Sequence, residues 1–163
     1  LDLADWNSSE YAIMGTADGQ GADGTRAIRV HVPFVHAPDV GREMTSSLYQ
    51  QYESDWLFRV RGKVQANKYI IQLRESSVYR ISFYARCEAG SARLQIQLGH
   101  APHNEPVIWT SDEVSIDSKL QKYELEYDHA VPSVSNVRFS FIFLDRHSEV
   151  ILDQIELRGR RPE

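Results

Sequence analysis

The chain has 163 residues, of which 42% are hydrophobic and 25% charged, a composition typical of a globular protein that buries one core. Its formal net charge of -5 excludes a domain specialised for nucleic acid, because phosphate binding needs a concentrated basic surface. Cys87 is the single cysteine, so no internal disulfide can form. No apolar run approaches the ~20 residues that span a bilayer, so we expect no membrane insertion.

The chain begins without methionine or a signal peptide, which indicates a domain excised from a longer protein. We expect one domain over residues 1–158, with 159–163 as a tail or the start of a linker. Residues 18–24 are rich in glycine but lack the regular oxygen-ligand spacing of an EF-hand, so we interpret them as a turn that leads into a strand.

Period-two alternation of apolar and polar residues recurs from this turn to the end of the chain, and it is typical of half-buried strands. The predicted strands are residues 26–32, 55–64, 78–87, 92–98, 120–127, 136–144 and 149–157. Residues 40–52 are an exception, because Met44, Leu48 and Tyr52 recur at four-residue spacing and suggest a short helix or helical loop.

The clearest alternation occurs on either side of a short turn at residues 88–91. Tyr79, Ile81 and Phe83 alternate with polar residues before the turn, and Leu94 and Ile96 do so after it. We interpret residues 78–87 and 92–98 as a β-hairpin. Many strands with almost no helical periodicity predict an all-β fold, a two-sheet antiparallel β-sandwich of the jelly-roll type.

Alternation also predicts which side chains face the core of this sandwich. The predicted buried set is Tyr79, Ile81, Phe83, Ala85, Leu94, Ile96, Leu98, Tyr123, Leu125, Phe139, Phe141, Phe143 and Leu152.

Catalytic motifs are absent from the sequence: it contains no Gly-x-Ser-x-Gly, no His-Glu-x-x-His and no phosphate-binding glycine loop. His100 and His103 lie two residues apart in a predicted loop, and we favour solvated histidines over a metal pair. Cys87 continues the inward face of its strand, which favours packing over nucleophilic chemistry. Glu124 and Glu126 share an outward strand face, where solvation is the simpler interpretation than an acid–base pair.

A binding role is better supported than a catalytic one. Sugars present flat apolar faces and rims of hydroxyl groups, which proteins bind with aromatic rings, amides and guanidinium groups. The predicted outward face of the hairpin and of a later strand offers this mixture. The candidate ligand residues are Trp56, Ser82, Tyr84, Arg86, Gln95, Gln97, Arg138 and Ser140.

Three alternatives remain open at this point. The polar face is also compatible with simple solvation, and Arg86 with pairing to a carboxylate that stiffens the sheet. Ile142 and Leu144 fall on the predicted outward face and favour a structural domain that docks against a neighbouring domain or protein. A ligand groove at the sandwich edge, around Trp6 and Trp109, is the third alternative.

Several short motifs resemble the carbohydrate-binding modules of families 4, 9 and 22, which are calcium-containing β-jelly rolls appended to polysaccharide-active enzymes. The motifs are Asp23-Gly-Thr-Arg-Ala-Ile-Arg-Val30, Asp55-Trp56, Tyr79-Arg-Ile-Ser-Phe-Tyr-Ala-Arg86, Leu120-x-x-Tyr123-x-x-x-Tyr127 and Val150-Ile-Leu-Asp-Gln-Ile-Glu-Leu157. They extend over nearly the whole chain.

The resemblance implies a non-catalytic domain that binds a polysaccharide or oligosaccharide, located outside the cell or in the cell envelope. It also implies other domains in the parent chain, a monomeric isolated domain, and a structural calcium ion bound by the Gly24 carbonyl and the Asp153 carboxylate. The chain departs from the family in lacking the usual Asn-x-x-Phe-Glu strand, which supplies an acidic calcium ligand. The segment of residues 40–62 is also longer than the corresponding segment of the family.

Overall fold

The structure, a computed structural model, describes residues 6–8, 13–31, 42–46, 49–51, 58–61, 71–100, 106–145 and 148–160. These residues form two antiparallel sheets that pack face to face, which confirms the predicted all-β sandwich. Helical structure in them is limited to one 3-10 turn, Ala22–Gly24. None of the described helical structure is long and apolar enough to cross a membrane.

Within the described residues, sheet A contains seven strands. Its main path, in spatial order, is β1 (Trp6–Ser8), β4 (Arg42–Ser46), β13 (Val134–Phe143), β9 (Ala92–His100) and β10 (Val107–Thr110), with β7 (Ile71–Leu73) paired to β13 and β11 (Val114–Ile116) paired to β9.

Seven strands of the described part of the chain also form sheet B. Its main path is β12 (Gln121–His129), β8 (Ser77–Ala89), β14 (Glu149–Arg160), β3 (Ala27–His31) and β2 (Ile13–Ala17), with β6 (Phe58–Arg61) paired to β14 and β5 (Tyr49–Gln51) paired to β6. Strand β14 continues through Gly159 and Arg160, which pair with Tyr79 and Val78, two residues beyond the expected domain end.

The predicted hairpin of residues 78–87 and 92–98 is wrong. Strand β8 pairs with β12 on one side and β14 on the other, whereas β9 pairs with β13, β10 and β11 in the opposite sheet. The turn at Gly90, whose φ is 75°, therefore carries the chain from one sheet to the other. Two strands that face each other across a core alternate just as a hairpin does, so periodicity alone does not distinguish the two arrangements.

The core between the sheets confirms most of the predicted inward side chains, which are at most 1% exposed. The confirmed residues are Tyr79, Ile81, Phe83, Ala85, Leu94, Ile96, Leu98, Phe139, Phe141, Phe143 and Leu152. Tyr123 and Leu125 are corrections, because both pack against the core but are only partly buried. They lie on β12, which among the described strands pairs with β8 alone and so forms an edge of sheet B.

The suggested helix in residues 40–52 is also wrong where the structure describes the chain. Residues 42–46 and 49–51 form β4 and β5, and Met44 pairs with Phe141 of β13. Pairing with β13, which is distant in sequence, outweighs the local four-residue spacing. Leu48 and Tyr52 lie outside the described residues.

Candidate functional site

The structure separates the candidate ligand residues onto opposite outer faces of the sandwich. Ser82, Tyr84 and Arg86 lie on the outward side of β8 in sheet B, as the alternating burial of that strand shows. Gln95 and Gln97 lie on the outward side of β9 in sheet A. The hydrophobic core lies between the two groups, so they cannot share one ligand surface.

On the outer face of sheet B, Arg86 belongs to a charged network. Its Nη2 lies 2.8 Å from Glu88 Oε1 and also donates to the side-chain carbonyl of Gln20. Arg29 Nε lies 3.2 Å from Glu88 Oε2 and 3.3 Å from Glu149 Oε1. Arg86 thus takes the alternative role of pairing with a carboxylate, here one on its own strand. Gln20 links it to the loop of residues 18–25, and Glu88 links β8 to Arg29 of β3.

The remaining candidates on this face have little open surface. Ser82 is only 7% exposed although its strand position is outward. Tyr84 is partly buried and is paired with Lys122 on one neighbouring strand and Asp153 on the other. Among the described side chains of this face, Ser82 and Tyr84 therefore do not form an open aromatic groove, and Trp56 lies outside the described residues.

The first loop, residues 18–25, packs on the same outer face beside β14. Ala17, Ala27 and Ile151 form a second, small apolar cluster there, separate from the main core. Ala22 is 6% exposed and its backbone N–H donates to Asp153 Oδ2. The loop therefore covers part of sheet B rather than extending into solvent.

The environment of Asp153 bears on the calcium ion that the resemblance implied. Its carboxylate is 1% exposed, and Oδ2 accepts the Ala22 N–H at 2.9 Å and lies 2.8 Å from the Thr25 hydroxyl. Calcium takes six to eight oxygen ligands, usually several of them carboxylates. The described part of the chain contains no group of three acidic, histidine or cysteine side chains placed to bind a metal. The described residues thus fit a hydrogen-bonded carboxylate better than a calcium site, and calcium at Gly24 and Asp153 stays a prediction.

The outer face of sheet A has residues of polar type at paired backbone positions on adjacent strands. Gln97 of β9 pairs with Thr110 of β10 and with Ser140 of β13, and its Nε2 donates to Thr110 Oγ1 at 3.2 Å. Strand pairing extends this row from Ser140 to Thr45 and then to Asn7. We call these five positions the polar row.

The amide of Gln95, two residues along β9 from Gln97, is also oriented by the protein. Its Nε2 donates to the Ser111 carbonyl at 3.1 Å. Ser111 is 4% exposed, and its hydroxyl accepts the Ile96 N–H and donates to the Asp112 carbonyl. Bonds of this kind fix a side chain before a ligand arrives.

Other predicted site residues contribute less to this face. Ser140 is fully buried, so it lies within the row but not on its surface. Ile142 and Leu144 are partly buried rather than exposed. Arg138 pairs with Gly99 through its backbone, but its side chain, like the whole of Trp56, lies outside the described residues.

Thr110 and Ser111 are polar groups of this face that sequence analysis missed. They follow Val107-Ile-Trp, a run of β-forming residues that indicates a strand. Their neighbours on β9 could not be identified from the sequence, because the contact depends on tertiary pairing.

The sandwich edge near Trp109 contains a stack of aromatic rings. The Trp109 ring lies 4.9 Å from that of Tyr127, which stacks in turn on Tyr79 at 6.5 Å. Tyr127 Oη lies 2.7 Å from His129 Nδ1, while His129 Nε2 lies 3.0 Å from the Pro132 carbonyl. Because that carbonyl can only accept, Nε2 carries the proton and Nδ1 accepts from the tyrosine. Burial raises the pKa of both Tyr127 and Tyr79.

The structure also describes most of the side chains that the sequence raised as candidates for catalysis or metal binding. Burial raises the pKa of the Cys87 thiol, which disfavours the reactive thiolate. Glu124 lies 3.3 Å from Lys122 Nζ, and Glu126 lies 3.2 Å from Arg80 Nη2, on the solvated face of sheet B. His100 is partly buried on β9, and His103 lies outside the described residues.

Comparison of the fold with solved structures finds carbohydrate-binding modules across nearly the whole chain. An arabinose-bound MgGH51 α-L-arabinofuranosidase matches with a TM-score of 0.66 and 13% identity, covering 96% of this chain and 23% of that one. The xylanase 10B CBM22-1–GH10 modules of Clostridium thermocellum, complexed with xylohexaose, match with a TM-score of 0.58 and 15% identity, covering 99% and 27%. The CBM22-1 xylan-binding domain of Paenibacillus barcinonensis Xyn10C matches with a TM-score of 0.59 and 11% identity, covering 97% and 87%.

These matches show that the chain has the jelly-roll fold of the family 22 carbohydrate-binding modules, as the sequence motifs predicted. The chain spans about a quarter of the first two proteins, at 23% and 27% of their lengths. No protein-family model matches the sequence, and no curated protein matches it either.

Proposed function

We propose that this chain is a non-catalytic carbohydrate-binding module that holds a polysaccharide or oligosaccharide chain on the outer face of sheet A. The observation that carries the proposal is the polar row, where amide and hydroxyl residues occupy paired positions on adjacent strands. Such groups exchange hydrogen bonds with sugar hydroxyls without the charge that a phosphate or metal would require.

The direction of the row suggests how a ligand lies. It crosses five strands, from β1 to β10, and neighbouring strands are about 4.8 Å apart, so it extends for roughly 19 Å. A single sugar ring is much shorter than this distance. We therefore infer an extended chain of several sugar units that crosses the strands, with Gln97 near one end of the row and Gln95 beside it.

The orientation of these amides supports recognition by a prepared surface. Gln97 is bonded to Thr110 and Gln95 to the Ser111 carbonyl, so less conformational entropy is lost when a sugar binds. Gln95 and Gln97 are partly exposed, so each of them exchanges water for any hydroxyl contact that it makes. We expect dissociation constants in the micromolar to millimolar range, about −8 to −4 kcal/mol.

The structural matches support the same class of ligand and setting. The names of two matched structures include xylohexaose or xylan. Two of the matched structures are glycoside-active proteins that are much longer than this chain. By this likeness we infer an accessory domain of a larger polysaccharide-active protein, acting outside the cell or in the cell envelope. Xylo-oligosaccharides are the first ligands to test, beside a broad glycan panel.

The experiment compares the two outer faces by titration calorimetry and affinity gels. Gln97→Ala should weaken binding about fivefold, the loss of one hydrogen bond of ~1 kcal/mol, and Gln95→Ala combined with it should weaken binding more. Gln20→Ala and Tyr84→Ala on sheet B are the controls and should leave affinity unchanged.

The controls also determine what would contradict the proposal. If Tyr84→Ala weakens binding while the two glutamine variants of sheet A do not, the ligand lies on sheet B. If no glycan in the panel binds the wild type, the alternative of a structural domain that docks against another domain or protein becomes the better interpretation.

A further inference from the structure

We propose that Asp153 acts as a metal-independent clasp that fixes the first loop against the outer face of sheet B. Asp153 lies in the middle of β14, 131 residues after Ala22, and its side chain is 1% exposed. A carboxylate buried to this extent must be compensated by charges or hydrogen-bond donors. The first loop supplies donors.

The loop is folded so that its donors converge on one oxygen. Ala22 N–H donates to Asp153 Oδ2 at 2.9 Å, and the Thr25 hydroxyl shares its single proton between Asp153 Oδ2 at 2.8 Å and the Ala22 carbonyl at 2.7 Å. Gly21 N–H donates to the Thr25 carbonyl at 2.8 Å, which closes the loop on itself. Hydrogen bonds to an ionised carboxylate are stronger than neutral ones, so this oxygen is the natural anchor of the loop.

The backbone of the loop fits closely around this carboxylate. A Cβ atom added to Gly21 would lie 2.9 Å from both Asp153 Cγ and the Thr25 carbonyl oxygen, closer than side chains tolerate. Asp23 and Gly24 have left-handed φ values of 56° and 70°, which turn the chain so that Thr25 returns to the carboxylate. Glycine adopts this conformation freely, and aspartate does so more readily than most residues.

The donor arrangement disfavours a cation at the same oxygen. An ion bound to Oδ2 would lie beside the protons of the Ala22 amide and the Thr25 hydroxyl, which already occupy this side of the carboxylate. The loop has a second attachment through Gln20, whose side-chain carbonyl accepts from Arg86. The loop is thus fastened at two places on sheet B by the chain's own groups.

The test measures melting temperature in calcium and in EGTA for the wild type and matched variants. Asp153→Asn and Thr25→Val remove the acceptor charge and one donor, and Asp18→Asn is the control because that carboxylate belongs to the same loop but is 72% exposed. The clasp predicts that the difference in Tm between the two buffers is the same for the wild type and for Asp153→Asn. It also predicts a loss of about 5–10 °C for Asp153→Asn, a smaller loss for Thr25→Val, and little change for Asp18→Asn.

Limited trypsin digestion provides a local measurement. Arg26 adjoins the first loop, so opening of the loop should increase cleavage after this residue in Asp153→Asn, detected by mass spectrometry as a fragment that begins at Ala27. The Asp18→Asn control removes the ion pair to Arg26 but keeps the clasp, so its cleavage should rise less. Glycan binding on sheet A is expected to be unchanged in every folded variant, which separates this inference from the proposed function.

Two results would overturn the clasp. One is a rise of several degrees in wild-type Tm on adding calcium that disappears in Asp153→Asn, because this would identify a calcium site at the carboxylate. The other is an unchanged Tm and digestion pattern in both Asp153→Asn and Thr25→Val. A calcium effect that persists in Asp153→Asn would place the ion elsewhere, and the clasp would stand on the Tm loss. If Asp153→Asn does not fold, the Tm and the digestion pattern of Thr25→Val decide whether the clasp exists, because valine is nearly isosteric with threonine.

Discussion

Replacement of Phe83 by alanine tests the packing between the two sheets. Phe83 lies on β8 of sheet B and is fully buried. Its ring lies 5.1 Å from that of Phe141 in sheet A, edge-on at 84°, and 5.6 Å from that of Tyr123, stacked at 20°. The substitution therefore removes a contact that joins the sheets and leaves a cavity at the centre of the sandwich.

The expected cost follows from this position. Removal of a buried phenylalanine costs about 3–5 kcal/mol, and we expect the upper half of that range because two favourable ring pairs are lost with it. For a chain of this length each kcal/mol corresponds to roughly 2–4 °C, so a loss of about 4–5 kcal/mol should lower Tm by about 8–20 °C.

Chemical denaturation of the wild type and Phe83→Ala, followed by tryptophan fluorescence, measures the change in unfolding free energy. Tyr84→Ala is the matched control, because this neighbouring aromatic residue points outward and is partly exposed. Its loss should cost clearly less. A loss below about 1 kcal/mol for Phe83→Ala, or equal losses for the two variants, would refute the assigned register of β8.

Three further predictions concern the sandwich edge and the effect of pH. Tyr127→Phe removes the hydroxyl that bonds to buried His129, and unfolding in urea should show a loss of about 1–3 kcal/mol; no loss would contradict the hydrogen bond. Trp109→Ala should destabilise the domain by about 2–3 kcal/mol, less than Phe83→Ala, because the indole is partly exposed; the same assay measures it. Burial raises the pKa of Cys87 above 9.0 and those of Tyr79 and Tyr127 above 10.0, so the unfolded chain loses these protons first as pH rises. The unfolding free energy should therefore fall from about pH 9 upward, and Cys87→Ala should delay the start of this fall; a free energy independent of pH between 8 and 11 would contradict it.

Alternation along the chain was sufficient to predict the fold class and most of the core. Residues such as Ile81, Leu94 and Phe139 are apolar at every second position, and strand geometry sends such side chains to one face. The prediction was less accurate for Tyr123 and Leu125, since burial at an edge strand depends on how far the opposite sheet extends over it. That extent is not encoded in the alternation of β12 itself.

The candidate site depended more heavily on tertiary structure. The outward positions on β8 and β9 follow from the alternation of each strand, but they were expected on one surface because consecutive strands were expected to pair. The structure instead pairs Gln97 with Thr110 and Ser140, and Tyr84 with Lys122 and Asp153.

By itself the sequence determined which side of each strand is apolar, because that property depends only on the period of two residues in an extended chain. Only the tertiary structure decided which strands are neighbours, since each pairing is a contact between residues distant in sequence. The contact of Asp153 with Ala22 joins residues 131 positions apart and shows the same dependence. Local alternation is satisfied equally by several strand orders, and the folded protein selects the one in which the apolar faces of the two sheets pack together.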